Sequence, residues 1–166
     1  MADLTQADKL TSASAKGDLT ELKKMIENGI NVNERNKYGY TALQVMKLGN
    51  SDVASALLKA KADPNVRDAA CGLTVTHDAA RDGYLDTLRV LVEEGADVNL
   101  LDGHGNLPLH LAAREGNRDV VEFLLQRTAE PLRPNLDGRT AYDLAVTHKR
   151  VNTARCIQEH STLCGK

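Results

Sequence analysis

Asp102-Gly103-His104-Gly105-Asn106-Leu107-Pro108-Leu109-His110-Leu111-Ala112-Ala113-Arg114-Glu115-Gly116, closed by Val120-Val121-Glu122-Phe123-Leu124-Leu125, reads as a turn followed by two short helices. Asp102 to Gly105 supplies the turn, because glycine reaches backbone angles that a β-carbon disfavours. Leu107 to Ala113 opens the first helix, with Pro108 in the first turn, where a missing N–H costs nothing. Ala112 and Ala113 are small enough for neighbouring helices to approach closely, and Gly116 lets the chain reverse. Val120, Val121, Leu124 and Leu125 then fall on one apolar stripe of a second helix. Helices this short are marginal in water and need a neighbour's apolar face.

The same frame recurs along the chain. Turn glycines stand at Gly39, Gly72, Gly105 and Gly138, evenly spaced at a period of 33. A second series runs through Gly17, Gly49, Gly83 and Gly116, with Lys149 in the fifth place. Leu22, Met25 and Ile26 follow the first of these, Val53, Leu57 and Leu58 the second, and Leu88, Leu91 and Val92 the third; the last unit keeps Leu144, Ala145 and Ile157. Such a period, with a turn and two helices in each unit, is the signature of the ankyrin repeat. The expected fold is therefore an all-α ankyrin-repeat solenoid of five helix-turn-helix units with β-turn fingers. It forms one domain over residues 5–160, with repeats at about 5–36, 37–68, 69–102, 103–135 and 136–160, and residues 161–166 as a loose tail. The polar end units, with Ser12 and Ser14 at one end and Thr147 to Arg150 at the other, suit caps facing water.

Repeat two departs from the frame. The stretch from Gly39 to Gly49 is one position shorter than those from Gly72 to Gly83 and from Gly105 to Gly116. The stretch from Gly49 to Gly72 is then one position longer than that from Gly83 to Gly105. The first helix of the second repeat is thus a residue short and the following finger a residue long. A two-turn helix that loses a residue is expected to be partly unwound and to present unusual backbone.

Composition narrows the function. The 166 residues carry a formal charge of −2. That balance argues against general nucleic-acid affinity, which needs an excess of Lys and Arg. No apolar run approaches the ~20 residues of a membrane span. The N-terminal residues show no secretory signal, and Cys71, Cys156 and Cys164 are too few and scattered for a disulfide framework. The expectation is an intracellular, reduced protein without cofactor or metal. His104 and His110 lack zinc-site spacing and company. Asp97 to Gly103 resembles a calcium loop but has a ligand out of step and no distal Glu. No phosphate loop, zinc-protease helix or nucleophile elbow is present, so no enzyme is expected.

Two columns of the repeat stand out. His77 and His110 hold the same place in successive repeats, where an imidazole braces a turn or, in a catalytic reading, does chemistry. Val45, Asp78, Leu111 and Leu144 share a column that is apolar except at Asp78. Burying an unpaired carboxylate is costly, so Asp78 either caps nearby backbone N–H groups or belongs to a partner. Arg81, Asp82, Tyr84 and Asp86 lie around it, and Tyr84 as an exposed amphipathic anchor fits interface chemistry or, more simply, a solvated helix end.

Thr41-Ala42-Leu43-Gln44-Val45-Met46-Lys47-Leu48-Gly49 and His77-Asp78-Ala79-Ala80-Arg81-Asp82-Gly83-Tyr84-Leu85-Asp86-Thr87-Leu88 resemble the ankyrin-repeat inhibitors of the cyclin-D-dependent kinases. The resemblance covers nearly the whole chain and includes the clipped helix. Val45 to Asn50 and Val120 to Leu124 are most similar to that family's inhibitor C branch. The resemblance implies a monomeric inhibitor of cyclin-dependent kinases 4 and 6, in cytoplasm and nucleus. It would bind beside the catalytic cleft opposite the cyclin, twist the lobes apart, weaken ATP and cyclin binding, and arrest cells in G1. By motif, the implied contacts are Tyr38, Gln44, Val45, Met46 and Lys47 with Asp68, Asp78, Arg81, Asp82, Tyr84 and Asp86. Asp78 would pair with a basic group of the kinase. Tyr84 stands where the family has Phe, Thr76 where an apolar residue is more usual, and Lys47 where other members carry Met. An ankyrin adaptor for a different protein partner is the alternative.

Overall fold

The computed structural model describes residues 4–163, and every regular element in that span is helical. Five helix pairs follow in chain order: α1 (Gln6–Lys16) and α2 (Leu19–Glu27), α3 (Ala42–Val45) and α4 (Ser51–Lys59), α5 (Val75–Asp82) and α6 (Leu85–Glu93), α7 (Pro108–Glu115) and α8 (Arg118–Leu125), α9 (Ala141–Thr147) and α10 (Val151–Leu163). First helices form one layer, closely packed along α1–α3 and α5–α7–α9 and interrupted between α3 and α5. Second helices form the other, along α2–α4–α6 and α8–α10. Leu22, Val53, Leu57, Leu88, Leu91, Val121, Leu124 and Ile157 are fully buried between the layers, in the registers that the glycine frame assigns them.

The tail begins later than expected. Residues 161–163 continue α10, with Thr162 and Leu163 exposed beyond its last buried residue, Ile157, and the rest of the expected tail, 164–166, lies outside the described residues. The shortened helix is as the spacing foretold: α3 is four residues long and stops at Met46, whose backbone is extended at φ −63 and ψ 157. Its extra residue reappears at the tip of the next finger. The carbonyl that closes a finger lies four residues on for Asn36, Asp102 and Asn135, but five on for Asp68, whose N–H bonds to the Leu73 carbonyl at 2.9 Å.

Side chains stitch each repeat to the next. Asn33 accepts from the Asp63 N–H at 2.7 Å, Asn65 from Asp97 at 2.8 Å, and Asn99 from Ala129 at 2.9 Å, a row of rungs along one edge. The histidines do the same on the finger side. The Leu107 N–H donates to His110 Nδ1 at 2.8 Å and Nε2 meets the Arg133 carbonyl at 2.9 Å. His77 repeats this with the Thr74 N–H at 3.2 Å and the Asn106 carbonyl at 2.9 Å. One ring nitrogen accepts and the other donates, which only the neutral imidazole can do. Both rings are fully buried, so the bracing account holds and a catalytic one has no access to substrate.

Burial holds the pKa of both histidines below the ordinary 6.5. A base with a depressed folded pKa is protonated first in the unfolded chain, so stability is complete above about pH 6.5 and falls as pH drops below it. Urea unfolding is expected to show a lower midpoint at pH 5.5 than at 7.5, and His110→Gln is expected to flatten that dependence. Thr76 lies 1% exposed in the Leu43–Leu109 column, and its hydroxyl finds no partner among the described residues. Thr76→Val, which removes the orphan hydroxyl at constant shape, is expected to raise stability by about 1 kcal/mol in the same assay.

Candidate functional site

The unwinding of α3 and the turn between α5 and α6 bring two stretches of chain side by side. Thr41 caps α3 and Gln44 returns the favour, its Oε1 accepting the Thr41 N–H at 2.9 Å. After one turn the chain leaves the helix through Met46, Lys47, Leu48 and Gly49. That segment forms one lip of a shallow groove whose other wall carries Asp82 and Tyr84. Gly49 has no side chain to hold the two apart. A β-carbon there would sit 3.2 Å from Tyr84 Cε1. Tyr84, 43% exposed, therefore lies with its edge against the backbone of repeat two.

The charges centre on Arg81. Its guanidinium reaches Asp82 through Nε at 2.9 Å and Nη2 at 3.3 Å, and Asp78 through Nη1 at 3.0 Å. Asp78 does not cap its helix. Thr74 fills that role, its hydroxyl accepting the His77 N–H at 3.2 Å, while Asp78 sits one turn in and makes no bond to a backbone N–H. Desolvation raises the Asp78 pKa above the usual carboxylate value; Arg81 counters this, and Asp82 and Asp68 add repulsion. One guanidinium shared among carboxylates leaves an acidic excess, and the partly desolvated Asp78 would gain from a further cation. Asp86 stands exposed in the first turn of α6, where a negative charge suits the helix dipole.

The implied contacts divide on this geometry. Tyr38, 72% exposed, and half-buried Val45 line a separate depression between repeats one and two, together with Asp8, Ser12 and Lys37. Lys47, Asp82 and Tyr84 line the groove, half-buried Asp78 and Arg81 join it through the Arg81–Asp82 pair, and Asp86 is exposed on α6. Met46 is not free to contact a partner through its side chain: it is 5% exposed and belongs to the core, because the chain turns inward as the helix unwinds. Gln44 spends its carbonyl oxygen on the cap of α3. Asp68 is committed to its fingertip, where Oδ1 accepts the Cys71 and Gly72 N–H groups at 2.6 and 2.9 Å. Asp8 escaped the sequence reading. It bonds the Lys37 N–H at 2.9 Å, a long-range link that the repeat pattern does not signal.

Among the described residues no group of three or more His, Cys, Asp and Glu could hold a metal ion, and the acids of the calcium-like loop are taken up by turns. Asp97 accepts the Asn99 N–H at 2.8 Å; Asp102 accepts those of His104 and Asn106 at 2.8 and 2.9 Å. Among the described residues no helix is long and apolar enough to cross a membrane.

Known proteins bear on the fold and the family. A family model described as ankyrin repeats (3 copies) matches residues 44–135 and again 77–163. The chain is 41% identical to cyclin-dependent kinase 4 inhibitor B of Homo sapiens over 121 residues, 73% of this chain and 88% of that protein. Against the inhibitor B of Rattus norvegicus it is 39% identical over 73% of this chain and 93% of the relative. Cyclin-dependent kinase inhibitor 2A of Homo sapiens is 43% identical over 71% of this chain and 76% of its own length. These matches fix the family rather than a branch within it. A stack of ankyrin units with this degree of identity over most of its length belongs to the ankyrin-repeat family of cyclin-dependent kinase inhibitors.

Proposed function

We propose that this chain is a protein inhibitor of cyclin-dependent kinases 4 and 6 and not an enzyme. The observation that carries this is the groove of repeats two and three. An unwound segment with exposed Lys47 lies beside Tyr84 and an acid-rich cluster that shares one arginine. Its relatives named as inhibitors of cyclin-dependent kinase 4 support the choice of partner. Asp78, Arg81, Asp82 and Tyr84 form the centre of the contact, with Lys47, Asp86, Val45 and Tyr38 around it. Asp78 pairs with a basic group of the kinase.

The mode of action is a shift in population. Bound beside the catalytic cleft, the solenoid favours a kinase conformation with the lobes twisted apart, in which ATP and cyclin D are held poorly. It inhibits by as much as it prefers that conformation over the active one. A mutually braced stack is suited to this, because little of its binding energy is lost in ordering itself. The chain acts as a monomer, in cytoplasm and nucleus with its kinase, and the outcome is arrest in G1.

A pull-down with the two kinases tests the reading. Retention of at least one is expected, and retention of neither would point to an adaptor for another protein. Asp78→Ala is expected to keep the unfolding midpoint of the parent, since no cap is lost, and to weaken kinase binding at least tenfold, about 1.4 kcal/mol. Loss of the fold in that variant, with its neighbours unaffected, would make Asp78 structural and remove it from the contact.

A further inference from the structure

A helix of one turn leaves its carbonyls without the N–H partners that a longer helix would supply. The Ala42 carbonyl of α3 and the Leu48 carbonyl of the extended segment after it are each met by a hydroxyl from a flanking repeat. Ser14 Oγ, buried in α1, donates to the Ala42 carbonyl at 2.6 Å. Thr87 Oγ1, buried in α6, donates to the Leu48 carbonyl of the preceding repeat. The Asn50 N–H donates to the Lys47 carbonyl at 3.0 Å.

Other repeats fill the matching places with apolar side chains, although the fifth repeats the hydroxyl of Thr87 at Thr153. Three residues before the second-series glycine, repeats three and four carry Ala80 and Ala113 where the first repeat has Ser14. Four residues after it, repeats two and four carry Val53 and Val120, whereas repeat three has Thr87 and repeat five Thr153. Helix packing is thus satisfied by apolar side chains at both places, and the oxygen is extra. Ser14 bonds to the first helix that is cut short, and Thr87 to the extended segment that follows it. The layer of first helices is interrupted between α3 and α5, so the bond from Thr87 crosses the junction where first-helix packing is weakest.

We propose that Ser14 and Thr87 are positioning residues that hold segment 42–49 in its unwound shape, so that the lip beside Tyr84 and Asp82 is preset before a kinase arrives. The inference rests on the function proposed above. Neither side chain is exposed enough to touch the partner itself. Both act through the backbone they restrain, and their contribution is preorganisation rather than contact.

The test reads shape and affinity separately. Amide hydrogen exchange in the free chain reports the segment through Asn50 and Val53, whose N–H groups bond to the Lys47 carbonyl and the Asn50 side chain. Titration calorimetry with the kinase reports affinity. Thr87→Val keeps the shape found at Val53 and Val120 and is expected to speed exchange at these two amides at least tenfold, with Val121 and Leu124 of repeat four unchanged. Kinase affinity is expected to fall fivefold or more, Ser14→Ala to act in the same direction, and Thr87→Ser to restore both readings to within twofold of the parent. Unchanged exchange in both Thr87→Val and Ser14→Ala overturns the clamp. Faster exchange with unaltered affinity overturns the positioning role, as does weaker binding without faster exchange. If the parent chain binds neither kinase, the proposed function fails, and the clamp still stands or falls on exchange alone.

Discussion

Every feature of this chain depends on helices too short to stand alone. Elements of four to thirteen residues gain stability chiefly by covering a neighbour's apolar face, so each repeat is completed by the next. Close approach requires small residues between first helices, and Ala79, Ala80, Ala112, Ala113 and Ala145 are buried there with almost no exposed surface. Hydrogen bonds then fix the register that apolar packing leaves loose. Asn33, Asn65 and Asn99 do so on one edge, and His77 and His110 on the other. The functional surface rides on that lattice and owes its rigidity to it.

Local and periodic signals made much of this readable without coordinates. Glycine spacing gave five units, a missing residue marked the unwound helix, and two histidines exactly one repeat apart announced themselves as braces. Side-chain direction was not readable in the same way. Met46 follows the last residue of a helix that stops early, and the sequence does not say whether it turns to solvent or into the core; packing turns it inward. Gln44 and Asp68 look available because each is polar, yet each is occupied by a turn formed a few residues away. The capping alternative for Asp78 fell to a neighbour, since Thr74 already holds that place. Links over long separations, such as Asp8 to Lys37 or Thr87 to Leu48, belong to no periodic pattern and emerge only from the fold.

Affinity and stability make opposing demands at the same place. Asp78 is partly desolvated among carboxylates with one guanidinium to share, an arrangement that costs the free protein something. Thr76, two residues earlier, holds a hydroxyl among leucines without a partner. The third repeat is thus less comfortable in isolation than its fourth counterpart, where Leu109 and Leu111 occupy the matching positions. Stability at a recognition surface is commonly given up in this way, because groups left unsatisfied in the free state are the ones a partner can satisfy.

The lengthened second finger, Asp68 to Leu73, ties its own future to the third, Asp102 to Asn106. Its tip leans across so that the Cys71 carbonyl takes the Gly103 N–H at 2.8 Å, and a β-carbon at Gly103 would stand 3.0 Å from that oxygen. A side chain at Gly103 would push the neighbouring tip away, while shortening the second finger would strand the amide it now covers. The two fingertips are therefore free to drift only in concert, and descendants of this sequence should alter them as a pair or leave both alone.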